Sequence, residues 1–202
     1  MTTGPVSGSG GAAPVFRRPH DPRPGWRWLG DWVLRRLGWR VEGEVPDLPK
    51  MVVAVAPHTS NRDFVVMIAA RFAFEVKVSF FGKHTLFGIP VFGRWLRWAG
   101  GIPVDRSAAN GQVSAAVAAL RGHERLWIGV APEGTRRRVE RFRTGFVAIA
   151  AQAGVPVLPV AIDNARRVIR IGPPTLVGPD VEAERARLEA WFAPFQRPRH
   201  VR

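Results

Sequence analysis

Between Met51 and Ile171, short runs of strand-forming residues alternate with segments of helical spacing, and this alternation limits the possible folds more than any other feature. "MVVAVA" (Met51 to Ala56) ends at Pro57, which has no N–H for a sheet and so closes the strand. "RDFVVMIAARFAF" then carries the apolar spacing of a packed helix. Further strands are expected in "EVKVSFFGK" (Glu75 to Lys83), "RLWIGVA" and "VPVLPVAI", and "RVIRIGPP" stands before the closing helix. A helix over about 109–121 places Val113, Val117 and Leu120 on one face, "FVAIAAQA" forms another before a stop at Gly154, and a last helix carries Leu188, Trp191, Phe192 and Phe195. Strands in turn with helices predict an α/β fold, a central mostly parallel sheet flanked by helices. A length of 202 residues suits a single core. The domain is expected over 23–197, after a flexible tail over 1–22 whose "MTTGPVSGSGGAAPVF" lacks the basic start and apolar run of a signal peptide.

Charge narrows the partners without choosing among them. Thirty Lys and Arg against sixteen Asp and Glu give +14, which points to nucleic acid, an acidic membrane surface or phosphorylated substrates. The absence of cysteine excludes disulfides, thiolate metal sites and a cysteine nucleophile, and fits a reducing cytosol. Eight tryptophans without a tyrosine, set beside many arginines, suit a lipid headgroup layer as well as a core. In "RPGWRWLGDWVLRRLGWRVEG" the residues Leu29, Trp32, Val33 and Leu37 share a helical face while Arg35, Arg36 and Arg40 lie largely elsewhere. This pattern fits an interfacial helix and a core-covering helix equally. "FVVMIAARFAF" is broken by Arg71, so no run reaches the 18 apolar residues of a membrane span. "HTLFGIPVFGRWLRWAGGIPVDRS" is apolar, aromatic and interleaved with Gly and Pro, a composition suited to lining a hydrocarbon channel.

Functional groups in such sheets gather where strands end. His58 stands at the exit of the Met51 strand, and Asp63 falls in the first turn of the helix that follows. A carboxylate one turn away can accept a proton from one imidazole nitrogen, fix the tautomer and leave the other nitrogen basic. The plainer reading is a loop histidine and an acid favoured by the helix dipole. Ser60 is better read as a loop hydrogen bond or cap than as a nucleophile. Asp105 and Arg106, and the stretch from Glu133 to Arg136, occupy other strand ends.

Four pieces therefore stand in order: "HTSNRD" (His58 to Asp63), "GIPVDR" (Gly101 to Arg106), "PEGTR" (Pro132 to Arg136) and "VPVLPVAI" (Val155 to Ile162). Together they resemble the four blocks of the glycerolipid acyltransferase family, which includes lysophosphatidic acid and glycerol-3-phosphate acyltransferases. The resemblance extends over Met51 to Ile171. It implies the glycerol-3-phosphate acyltransferase-like fold and transfer of a fatty acyl group from an acyl-CoA or acyl-carrier-protein thioester to a lysophospholipid hydroxyl. The implied acceptor is 1-acylglycerol-3-phosphate, with another lyso-lipid such as a lyso-aminolipid as the alternative. By the resemblance His58 is the general base and Asp63 orients it. Arg106 and Arg136 are the main phosphate contacts, with Lys83 a weaker one. Glu133 positions the acceptor or ties its loop, Gly134 permits a tight turn and Thr135 holds the backbone. Arg137, Arg138 and Arg141 fit a solvated surface better. No cofactor or metal is implied beyond the thioester co-substrate. The expected location is cytoplasmic, peripheral on the inner face of the cell membrane, with an anionic membrane surface as partner. Pro57 stands where asparagine is frequent in the family, and "IPVDR" replaces a form closer to "FIDR", which leaves the acceptor open. A basic nucleic-acid-binding protein would account for the charge but not for the paired His58 and Asp63, and no nucleic-acid partner is expected.

Overall fold

The computed structural model describes residues 17–21, 23, 25–57, 61–104, 111–134 and 141–195, the side chains of 61 and 62 excepted. Helix α1 (Trp26–Arg36) is followed by strands β1 (Arg40–Glu42) and β2 (Lys50–Ala56), helix α2 (Asn61–Ala73) and strand β3 (Val78–Lys83). Two short helices, α3 (His84–Phe87) and α4 (Phe92–Trp98), lead to β4 (Gly101–Val104), α5 (Gly111–Gly122) and β5 (Leu126–Val130). The chain continues through α6 (Gly145–Ala153), β6 (Val157–Asp163), β7 (Val168–Ile171) and α7 (Val181–Phe192), with a 3₁₀ turn at Ala193–Phe195. Among the described residues these strands form one seven-stranded sheet in the order β1-β7-β6-β2-β5-β3-β4, parallel throughout except between β6 and β7. The expected mostly parallel α/β sheet is thus the observed one.

A parallel sheet is covered on both faces, so its central strands are apolar on both sides. β2 shows this residue by residue. Val52, Ala54 and Ala56 join the core with Ile128, Phe146 and Val147 beneath α5, α6 and α7. Met51 and Val53 point the other way, with Trp127, Leu158, Val66 and Leu34 under α1 and α2. Trp127 satisfies its indole N–H on the Leu48 carbonyl at 2.8 Å, so its ring is buried without an unpaired donor.

α1 meets the domain along Gly30 and Leu34, both buried, while Leu29, Trp32 and Leu37 face outward. Of the apolar face expected at Leu29, Trp32, Val33 and Leu37, only Val33 packs against the core, so the packing face is turned toward Gly30 and Leu34. The reason is a close helix contact: a Cβ on Gly30 would lie 2.5 Å from the Ala69 carbonyl oxygen and 2.6 Å from the Ala73 nitrogen. Only glycine fits there, and the contact line follows it. Trp32, half exposed at 51%, is not a core residue. Gly30→Val is expected to force α1 off α2 and lower stability by about 1–3 kcal/mol, measured by urea unfolding. An unchanged midpoint would show that α1 does not depend on this approach.

Residues 17–21, placed in the tail by the sequence reading, are bound to the domain. The backbone N–H groups of Arg17 and Arg18 donate to Asp47, Lys77 N–H donates to the Pro19 carbonyl, and Asp21 pairs with Arg71. The Gly- and Ser-rich stretch before them lies outside the described residues.

Candidate active site

Because β2, β3, β4, β5 and β6 run in parallel, their carboxyl ends share one edge of the sheet. Asp63 reaches this edge from the first turn of α2, which follows β2. Its side chain is completely buried and its Oδ1 accepts a hydrogen bond from Asn164 Nδ2 at 3.0 Å. A carboxylate without solvent must be hydrogen-bonded to stay in place, and a fixed donor also fixes its rotamer.

Asn164 was not singled out in the sequence, and the structure gives it this position. It directly follows β6, the strand beside β2, in the turn that leads to antiparallel β7. The turn is held by Asp163, which is buried and accepts from the backbone N–H groups of Ala165 and Arg166 and from the Arg166 side chain. Asn and Asp are the residues that close such turns through their side chains. The pair "DN" after a strand was the available signal, but nothing in the sequence ties residue 164 to residue 63.

Phe64, next to Asp63, packs edge-on against Phe80 of β3 at 5.9 Å and tilted against Trp95 of α4 at 5.6 Å between ring centroids. These contacts fix the first turn of α2 against its neighbours, and with it Asp63. Beyond β5, Glu133 is buried to 4% exposure. Gly134 beside it adopts φ 64°, the left-handed conformation that glycine takes without strain, and its N–H donates to the Ala131 carbonyl. Arg143 N–H donates to the Pro132 carbonyl, and its side chain lies over Gly134, where a Cβ would meet Arg143 Cδ at 2.5 Å. Arg143 thus brings a guanidinium over Gly134, a position of which the sequence gives no sign. Lys83 is exposed at the end of β3, opposite Val104 of β4. Arg141 is tied to Glu182 of α7, in keeping with a surface role.

Asp63, Lys83, Glu133 and Gly134 therefore all follow or end strands at this carboxyl edge of the sheet. His58, Arg106, Thr135 and Arg136 lie outside the described residues, as do Ser60, Asp105, Arg137 and Arg138. Chemically, the arrangement offers an immobilised buried carboxylate at a helix start, close to the exit of the strand that precedes His58, together with basic side chains along the same edge. Among the described residues no group of His, Asp and Glu is placed to hold a metal ion.

A parallel-sheet domain with a buried acid one turn into the helix after its central strand meets a family model that matches over residues 40–163, described as Acyltransferase. The chain belongs to the acyltransferase family. Among its relatives is the 1-acyl-sn-glycerol-3-phosphate acyltransferase of Haemophilus influenzae, 28% identical over 77% of this chain and 67% of that protein. The protein of the same name from Pseudomonas aeruginosa is 32% identical over 83% of this chain and 74% of its own length. Against other curated relatives the chain spans about half of their length. In fold it resembles the crystal structure of the 1-acyl-sn-glycerophosphate acyltransferase PlsC from Thermotoga maritima, with a TM-score of 0.63 over 84% of this chain and 76% of that one, at 23% identity.

Proposed function

We propose that this protein transfers a fatty acyl group from a thioester donor to the free hydroxyl of a lysophospholipid, with 1-acylglycerol-3-phosphate as the acceptor. The observation that carries this reading is the buried, Asn164-bonded Asp63 inside the region that matches the family. In this mechanism His58 takes the proton of the acceptor hydroxyl as its oxygen attacks the thioester carbonyl. The C–S bond then breaks, and the proton passes to the departing thiolate. Asp63 holds the imidazole tautomer and stabilises the imidazolium during the step. A free alcohol is a poor nucleophile near neutral pH, and a positioned base contributes about 10²–10⁴-fold. The acceptor phosphate is met by Arg106 and Arg136, whose planar forks suit phosphate oxygens, with Lys83 contributing charge. Glu133, Gly134 and Thr135 shape the turn beneath it. No covalent acyl-enzyme is required.

The relatives named for 1-acyl-sn-glycerol-3-phosphate support the acceptor. Both acyl-CoA and acyl-carrier protein fit the chemistry as donor, and a lyso-aminolipid remains the second acceptor class. Purified protein offered a series of lysolipids with each donor, followed by mass spectrometry of the products, separates these. Phosphatidic acid formed in preference to other products is the expected result. Acylation of a lyso-aminolipid alone would move the protein to the second reading, and no acylated product with any acceptor would overturn both.

Arg136→Ala and Arg106→Ala are expected to weaken acceptor binding by about 1.5–3 kcal/mol, the cost of a lost charged hydrogen bond, with little change for the donor. Apparent affinities for both substrates test this, and a loss confined to the donor would reassign these arginines to the donor's phosphates.

The same reading places the protein peripherally on the cytoplasmic face of the membrane, where its lipid substrates are. Among the described residues no helix is long and apolar enough to cross a bilayer. Trp28, Leu29 and Trp32 on α1 are exposed, and Trp28, Asp31, Trp32, Arg35 and Arg36 line a shallow groove of about 400 Å³. Aromatic burial with arginines worth about 1 kcal/mol each near an anionic surface supports docking there that high salt weakens.

A further inference from the structure

The segment whose composition suits a channel wall turns many of its apolar side chains outward. In α3, α4 and the link between them, Phe87, Gly93 and Leu96 are buried. Leu86, Ile89, Val91, Phe92, Trp95 and Trp98 are exposed, Val91 to 79%. Large apolar side chains gathered in this way on a soluble surface mark an interaction site.

We propose that the α3–α4 segment, Leu86 to Trp98, is a second membrane-contacting surface that lays the site edge of the sheet against an anionic bilayer. It rests on the peripheral-membrane reading above for the nature of the partner, and adds a surface that reading does not use.

Charge is the first support. From Val76 to Val104 the chain has no acidic residue, while Lys77, Lys83, Arg94 and Arg97 are all exposed cations. On α4 the cations alternate with Phe92, Trp95 and Trp98, the mixture of aromatic and basic side chains that rests at a headgroup layer. The stacked rings of Phe92 and Trp95 present a flat apolar face, with centroids 5.7 Å apart and an interplanar angle of 24°.

The second support is continuity. Trp98 meets Trp26 of α1 at 5.3 Å between centroids, and the Arg23 guanidinium sits 4.9 Å above the Trp98 ring. The end of α4 and the start of α1 are therefore in contact, and one surface can engage lipid through both. At its other end the row reaches the site, because Trp95 packs on Phe64, the residue after Asp63. α3 itself begins directly after Lys83, at the carboxyl end of β3. A bilayer under this segment lies along the edge that must receive a lipid acceptor.

The third support is Val91, whose backbone has φ 64° and ψ −56°. Positive φ is a real outlier for a β-branched residue, and such strain persists where it serves a site. Here it raises the most exposed apolar side chain of the segment at the tip formed with Ile89 and Pro90.

The chain has no cysteine, so Val91→Cys accepts a single polarity-sensitive fluorophore. With vesicles of equal parts phosphatidylglycerol and phosphatidylcholine, the label is expected to shift to the blue, and the shift should shrink in neutral phosphatidylcholine vesicles and at high salt. The double variant Val91→Asp/Phe92→Ser should lose about tenfold in vesicle partition while its thermal midpoint, and its turnover on a short-chain acceptor below its micelle concentration, match the parent. A label that stays in water while the parent protein still sediments with the vesicles overturns this proposal and leaves α1 as the anchor. Absence of any vesicle binding overturns both. A double variant with normal vesicle partition but a selective loss with an acyl-carrier-protein donor assigns the surface to that acidic protein instead. Concentration-dependent dimerisation abolished by the variant assigns it to a second copy of the chain.

Discussion

Asp63→Asn is expected to cut turnover by about 10²–10⁴-fold with the domain still folded. The carboxylate is completely buried and bonded by Asn164 Nδ2, and an amide of the same shape fills the space without a charge to stabilise an imidazolium. His58→Ala should be at least as severe, because the base itself is gone. Asn164→Ala should be intermediate: the acid keeps its charge but loses the donor that fixes its rotamer, so kcat falls more than acceptor KM rises. Steady-state kinetics beside thermal melting of each variant separate chemistry from folding. If His58→Ala kept most of its turnover, the base would be another group, and a fully active Asp63→Asn would reduce Asp63 to a helix-start residue.

The layered fold was legible because its central strands are apolar on both faces, as at Met51 to Ala56, and because the helices between them keep a 3.6-residue period, as at Val117 and Leu120. What escaped has a common physical cause. β1 is three residues of an edge strand, "RVE", whose Arg40 is exposed, so it carries no hydrophobic signal. β4 hides in "GIPV", where a proline is tolerated because, among the described residues, β4 pairs with β3 alone and ends the sheet. α3 and α4, four and seven residues long, are too short for a period to show. The packing side of α1 followed Gly30, a residue with no hydrophobicity to read. At the site, Asp63 was legible from its place after a strand and within a helix start, both local signals. Asn164 was not, because its partner lies 101 residues away and only the β2–β6 pairing brings the two together.

Arg71 shows how the same side chain reads differently in sequence and in space. In the chain it interrupts an apolar run. In the fold it is 5% exposed and gathers three acceptors: the Val76 carbonyl through Nε at 3.3 Å, the Ala99 carbonyl through Nη1 at 2.6 Å and Asp21 Oδ2 through Nη2 at 2.9 Å. One guanidinium thus joins the end of α2, the end of α4 and the segment before α1. Burial raises the affinity of Asp21 for a proton, but the hydrogen bond from Arg23 and the charges of Arg23 and Arg71 outweigh it, so the carboxyl is held below the usual aspartate range. Asp21→Ala removes the counter-charge of Arg71, which keeps its two carbonyl acceptors, and is expected to destabilise the domain by about 1–3 kcal/mol, or roughly 5 °C in the melting midpoint of a chain this long. The double variant Asp21→Ala/Arg71→Met should recover part of the loss, because the charge leaves together with its partner and methionine fills the space. The sign of the pH dependence follows from the lowered carboxyl. The pair's stabilisation is complete above the unfolded aspartate value of about 3.9 and is lost as pH falls through the still lower folded value. The gap between parent and Asp21→Ala in urea midpoint should therefore be constant near neutrality and close in strong acid. A gap that persisted at pH values well below the carboxylate range, or a double variant no more stable than Asp21→Ala, would show that Asp21 acts through packing of the segment rather than through its charge.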